Sequence, residues 1–310
     1  MSAWDEVMSR DAPERGWAVD CYLGGAEPLP TGTPLDWALG GGLMPGVTVL
    51  GGVASAGKSA IACQAAASVA SRGLRVLYLT LDDAWGNVVA RCMSSWSISH
   101  SASYGAGPFS WSQLPEMRRR WRDLRDADRS RVAYEGRDAA LMAARAWAEG
   151  PGRHLAVVDS VTEIGQIEGM LRELREAGEP PALVVVDYLQ QYQAGSPDLD
   201  RAEYSRVSDV AARLQRVALW GGTPVLALSS LRKLAKGEDD PTLDWFRGSG
   251  VVGYSAWAAC VLTRGRAEGP GWREAVLHVV KNKGGRSGTR TSCELWGGYS
   301  YAGRMRDKEA

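Results

Sequence analysis

The stretch VTVLGGVASAGKSA, Val47 to Ala60, decides the fold. Its opening residues, Val47 to Gly51, form a run of strand length rich in apolar and β-branched side chains. Its end starts a pattern of apolar residues at helical spacing that continues from Ser59 to Ser71. The join between them, Gly52-Val-Ala-Ser-Ala-Gly57-Lys58-Ser59, fits G-x-x-x-x-G-K-[ST] in the strand-turn-helix setting which that pattern requires. Glycines there let backbone N–H groups curl around phosphate oxygens, and the start of the helix adds positive potential. Gly52, Ala54, Ser55, Ala56, Gly57, Lys58, Ser59 and Ala60 are therefore read as a nucleotide-phosphate loop, with Lys58 reaching the β and γ phosphates and Ser59 ligating Mg²⁺.

Outward from this loop, strand-length apolar runs recur at 75–81, 154–159, 182–187, 224–229, 258–263 and 275–280. The early ones are continuously apolar rather than alternating, which predicts strands buried on both faces of a parallel sheet. Ser59 to Ser71, Val161 to Ala177 and Arg201 to Trp220 carry helical periodicity between them. The rhythm predicts a doubly wound α/β domain, mostly parallel and flanked by helices. The last strands follow one another with only loops between, so an antiparallel C-terminal extension is expected. Ser97 to Gly107, SISHSASYGAG, reads as a mobile polar loop, and the charged run 117–131 as a solvated helix. Residues 1–30 read as an arm or linker, 31–302 as the main domain and 303–310 as a tail.

The whole chain narrows the function further. With 310 residues and a formal net charge of zero, no overall basic field gathers nucleic acid from a distance, although loops or a channel can still do so. The five cysteines, at 21, 63, 92, 260 and 293, show no C-x-x-C spacing and do not pair with the three histidines. They read as free thiols of a reducing cytosol, with no zinc site. The N-terminus MSAWDEVMSR lacks the basic start and apolar run of a signal peptide, and no stretch has the length of a membrane helix. A cytoplasmic protein without a membrane partner is expected.

Two acidic positions can complete a phosphate site. Asp187 ends the apolar run ALVVVD, where a carboxylate holds the Mg²⁺ shell. TLDD, residues 80–83, ends the strand read as lying beside the loop strand; Asp82 or Asp83 can face a γ phosphate, or cap the helix that begins near Trp85. Asp82 is favoured, since ligands are expected at the C-terminal edge of such a sheet. Lysine adds a further signal: of six lysines in the chain, Lys281 and Lys283 stand two residues apart in VVKNKGGRSG, and strand alternation puts both on one face.

Thr31-Gly32 with Leu35-Asp36, then GLMPGVTVLGG, AGKS, TLDD, VVVDYLQ, ALSSLRK and VVKNKGGRSG, in this order and spacing, resemble the RecA-fold motor domain of the DnaB-type replicative helicases from about residue 30 to residue 302. The resemblance implies a RecA-like P-loop NTPase binding ATP with Mg²⁺. It makes Asp82 the carboxylate that activates water, Asp187 the Walker B acid, and Lys281 and Lys283 fingers that reach a neighbouring subunit's ATP. Ser230 and Arg286 take sensor positions. Loops at 191–203 and 232–250 would meet single-stranded DNA, the second through Arg232, Lys233, Lys236 and Arg247. A hexameric ring is implied, with loader or other replication proteins as partners.

Departures from the family pattern are visible. Asp82 stands where Glu is usual, Ser230 where Gln is usual and Lys283 where Arg is usual. Residues 1–30 offer an arm in place of the family's helical, primase-docking N-terminal domain. The expected function is thus a ring-forming, ATP-dependent helicase translocating on single-stranded DNA. The alternative is a non-motor RecA-superfamily ATPase, either a recombinase-like filament or a nucleotide-controlled scaffold.

Overall fold

A computed structural model of the chain describes residues 26–123, 139–233, 238–247 and 255–305. Its strands in chain order are β1 (Gly46–Gly52), β2 (Val76–Thr80), β3 (Leu155–Val158), β4 (Leu183–Asp187), β5 (Pro224–Ser230), β6 (Ala258–Gly269), β7 (Trp272–Asn282), β8 (Thr289–Trp296) and β9 (Tyr301–Arg304). The helices are α1 (Pro34–Leu39), α2 (Lys58–Ser71), α3 (Trp85–Tyr104), α4 (Leu114–Asp123), α5 (Ala139–Glu149), α6 (Ile164–Glu176), α7 (Pro197–Asp200) and α8 (Glu203–Gly221).

All nine strands join one sheet in the order β3-β2-β4-β5-β1-β6-β7-β8-β9. Pairings from β3 across to β6 are parallel, and those from β6 to β9 antiparallel. The α/β class, the parallel body and the antiparallel extension agree with the sequence pattern. Every residue of β1, β2 and β4 is buried, as continuous apolar runs demand. β3 is the exception, partly exposed because it is the edge strand. One apolar layer covers one face through α2, α3 and α5; a second covers the other through α6 and α8.

Three readings change. Ser97 to Tyr104 is the C-terminal part of α3, not a loop. Ser97 is fully buried: its hydroxyl donates to the Ser94 carbonyl at 2.7 Å and accepts from the Phe109 N–H at 2.8 Å, so a serine that looks like a loop residue is an internal hydrogen-bonding group. Second, β2 is not beside β1, because β4 and β5 lie between them. Third, β8 and β9 escaped the list of apolar runs; β8 alternates buried with partly exposed residues, as a sheet with one solvated face does. The charged run is helical as far as Asp123, and residues 124–131 lie outside the described set, as do 1–25 of the arm and 306–310 of the tail. Among the described residues no helix is long and apolar enough to cross a membrane.

Gln64, buried in α2, ties the segments around Gly32 and Ala302 to the loop helix. Its amide donates to the carbonyls of Gly32 (2.6 Å) and Ala302 (3.1 Å) and accepts from the Ala302 N–H (2.7 Å). Gln64→Ala leaves those buried backbone groups without partners. It is expected to cost about 2–4 kcal/mol, taking roughly 1–3 kcal/mol per unsatisfied group, read as a lower urea midpoint at unchanged slope.

Candidate functional site

β1 runs straight into the phosphate loop, and the backbone there leaves no choice of residue at Gly57. It has φ +114°, and a Cβ on it would lie 2.5 Å from Leu295 Cδ2 on β8. Gly52 is also confined: its Cβ would meet the Leu262 carbonyl oxygen at 3.0 Å. Ser55 takes the left-handed region at φ +59°, and its carbonyl accepts from Arg273 at the start of β7. The loop is thereby clamped between β6, β7 and β8 and delivers its N–H groups to the N-terminus of α2, a helix of 14 residues.

Gly52 to Ala60, Asp82, Asp187 and Ser230 all line one cavity of about 700 Å³. The Lys58 ammonium donates to the carbonyls of Gly52 (2.7 Å) and Val53 (3.2 Å). Burial holds its pKa below the usual lysine range, against the pull of Asp187 and Asp82. Asp187 is buried at the end of β4, which pushes its carboxyl above the usual range; hydrogen bonds from Tyr78 and Ser59 oppose that rise. The Tyr78 hydroxyl donates to Asp187 Oδ2 at 2.9 Å. The register that pairs Tyr78 with Val185 sets it two residues from the carboxylate on the adjacent strand.

The two neighbouring aspartates separate. Asp83 turns to the helix, where its Oδ1 accepts from the Ala84 N–H (2.9 Å) and Asn87 Nδ2 (2.7 Å), and Arg91 lies 3.5 Å from its other oxygen. Asp82 is exposed and lines the cavity, with Gln191 Nε2 at 3.4 Å from its Oδ1.

Sequence reasoning missed Tyr78, Arg91 and Trp111. Arg91 sits over the Trp111 ring at 4.5 Å from its centroid, and both line the cavity. Arg91 Nε is buried without a hydrogen-bond partner, an orphaned cationic donor that an anion would satisfy. This donor, the loop N–H groups and Lys58 fit a nucleotide's phosphates. Ser59 and Asp187 supply the hard oxygen atoms that suit Mg²⁺, which is usually bound by one or two carboxylates together with substrate phosphates.

Lys281, Lys283 and Arg286 do not line that cavity. Asn282 pairs with Ala258, which pairs with Thr48, whereas Gly52 ends β1 at the level of Leu262. Lys281 is level with Val49 and Asn282 with Thr48, three and four residues of strand before Gly52, roughly 10–13 Å at 3.3 Å per residue, and β6 lies between β7 and β1. Lys283 lies just past the end of β7, where its N–H donates to the Trp257 carbonyl at 3.1 Å. Burial and the charge of Lys283 both depress the pKa of Lys281, so the two ammonium groups share one neighbourhood. Arg286 is exposed in the turn between β7 and β8.

The basic loop residues divide. Arg232 forms a two-pronged ion pair with Glu238 (2.9 and 3.0 Å), and Arg247 one with Glu203 (2.8 and 2.9 Å). Lys233 is exposed, and Lys236 lies outside the described residues.

Residues 29–293 match the family model of the DnaB-like helicase C-terminal domain. Among solved structures, that of a DnaB-like replicative helicase studied with its interactions with primase superposes at a TM-score of 0.71 with 16% identity, covering 98% of this chain and 70% of that one. The ATPase domain of G40P superposes at 0.71 with 17% identity over 98% of this chain and 96% of that one. A KaiC-like protein, PH0186 of Pyrococcus horikoshii, superposes at 0.55 with 14% identity over 91% and 100%. No curated protein sequence matches. At such identities the structural likeness carries the fold alone, whereas the family model spans most of the chain. The chain belongs to the DnaB-like helicase C-terminal domain family.

Proposed function

We propose that this protein is the ATP-hydrolysing subunit of a ring, hexameric by analogy with the family, that moves along single-stranded DNA in the cytoplasm and unwinds duplex. The observation that carries the reading is the separation of Lys281 and Lys283 from the phosphate loop: they sit at or beyond the end of β7, level with the middle and start of β1 rather than with the loop that follows it. A finger pair that cannot reach its own chain's nucleotide serves a neighbour's, so the active site forms between subunits.

In this reading the loop N–H groups and Lys58 bind the β and γ phosphates, and Arg91 offers its unpaired donor to the same charge. Ser59 and Asp187 would hold Mg²⁺, which neutralises charge on the phosphates when bound. Asp82 orients water and takes its proton, while the neighbour's Lys281 and Lys283 stabilise charge as it develops on the γ phosphate. The Tyr78 hydroxyl fixes the Asp187 carboxylate.

DNA contacts are assigned to the segments 191–203 and 232–250, with Arg232, Lys233, Lys236 and Arg247 as cationic candidates. Arg232 and Arg247 are each engaged by a carboxylate, so backbone N–H groups and lysines carry much of the contact. Loader or other replication proteins would act on the assembled ring.

Three outcomes are expected. Lys283→Ala removes turnover while sparing ATP binding, and mixing it with Lys58→Ala subunits restores activity, because a mixed interface unites an intact loop with an intact finger; failure of that mixture to hydrolyse ATP sinks the shared-site reading. Asp82→Asn lowers turnover by about 10²–10⁴-fold with ATP affinity retained, measured by steady-state hydrolysis and analogue titration. Affinity for single-stranded DNA falls only shallowly with salt, at roughly 0.7 logarithmic units per phosphate contact and few contacts per subunit, as fluorescence anisotropy across a salt series would show.

A further inference from the structure

Directly after β4, Leu189–Gln191 make a single 3-10 turn, and fully buried Leu189 pins it in the core shared with α8. Gln190 follows, only 6% exposed, and its side-chain amide is engaged on three sides. Its Nε2 donates to Ser229 Oγ (2.7 Å) and to the Arg247 carbonyl (2.9 Å), and its Oε1 accepts from the Ser230 N–H (3.1 Å). Its own carbonyl accepts from the Arg206 guanidinium at 3.3 Å.

These partners belong to different elements of the fold. Ser230 lines the nucleotide cavity. Arg247 belongs to the segment 232–250 and also pairs with Glu203, the first residue of α8, where the segment 191–203 ends. On the other side of the turn, Gln191 Nε2 reaches Asp82 Oδ1 at 3.4 Å. The buried amide cannot shift without breaking several of these hydrogen bonds, which tie the turn to the end of β5 and to Arg247.

We propose that Gln190 is the positioning residue that couples the nucleotide cavity to the DNA-contacting segments, with Gln191 passing the position of Asp82 to the same turn. This rests on the reading of the site as a DNA-stimulated ATPase. The coupling acts both ways: whatever factor ATP applies to DNA affinity, DNA applies to ATP affinity.

The test compares full-length wild type, Gln190→Ala, Gln190→Glu and Ser229→Ala. Each is assayed for ATP hydrolysis with and without an oligothymidylate, and for affinity to that oligonucleotide with and without a non-hydrolysable ATP analogue. Gln190→Ala is expected to keep wild-type basal turnover and analogue affinity, while DNA stimulation falls by about fivefold or more and the analogue's effect on DNA affinity shrinks by a similar factor. Gln190→Glu, which cannot donate to Ser229 or to the Arg247 carbonyl, behaves alike; Ser229→Ala, which removes one hydroxyl, loses part of the stimulation. A role in folding alone would lower the melting temperature without changing either ratio. If Gln190→Ala does not fold, Ser229→Ala carries the test. Full stimulation in the folded variants overturns the coupling role alone. A wild type indifferent to DNA overturns the parent reading and this inference with it.

Discussion

The contact on which the rest depends is the close approach of the phosphate loop to the antiparallel end of the sheet. Gly57 can adopt its backbone conformation only without a side chain, and Leu295 fills the space a side chain would need. Arg273 closes on the Ser55 carbonyl from the same side. The antiparallel strands are thus a wall against which the loop is held open for an anion. A loop of this composition without that wall would have many backbone states, and phosphate binding would carry the cost of ordering it.

A second constraint is the separation of chemistry by strand direction. Parallel strands β1, β2, β4 and β5 bring Gly52, Asp82, Asp187 and Ser230 to one edge because each run ends there. β7 runs the other way, so its C-terminal residues arrive at the opposite edge. One sheet therefore holds the phosphate loop at the C-terminal ends of its parallel strands and carries Lys281 and Lys283 away from that loop.

Electrostatics follow the same economy. The chain has no net charge, and near the candidate DNA segments Arg232 and Arg247 are bound to carboxylates while Lys233 is exposed. In the nucleotide cavity Arg91 pairs with Asp83 at 3.5 Å but keeps its Nε buried without a hydrogen-bond partner, and Lys58 is held among backbone carbonyls with its pKa depressed by burial. Stored positive charge is concentrated where a phosphate would use it. Gln190 lies between the two regions, a neutral group whose geometry rather than charge connects them.

Local pattern was enough for the strand-loop-helix form of the phosphate loop, for Asp187 at the end of a buried strand, for seven of the strands and for the helices α2, α6 and α8, but not for α5. These follow from periodicity and from backbone chemistry within a dozen residues, which any chain with that local composition would share. Ser97 to Tyr104 defeated the same logic, because Ser97 finds its hydrogen-bond partners within the core, at Ser94 and Phe109, and a polar stretch anchored by such a buried contact looks like a loop until the partners are known. The position of β2, two strands away from β1, the Tyr78 contact with Asp187, the division of labour between Asp82 and Asp83, and the hub at Gln190 were decided only by tertiary structure. Each depends on strand order and register between segments far apart in the chain, and side-chain spacing within one segment carries no information about which distant segment will lie beside it.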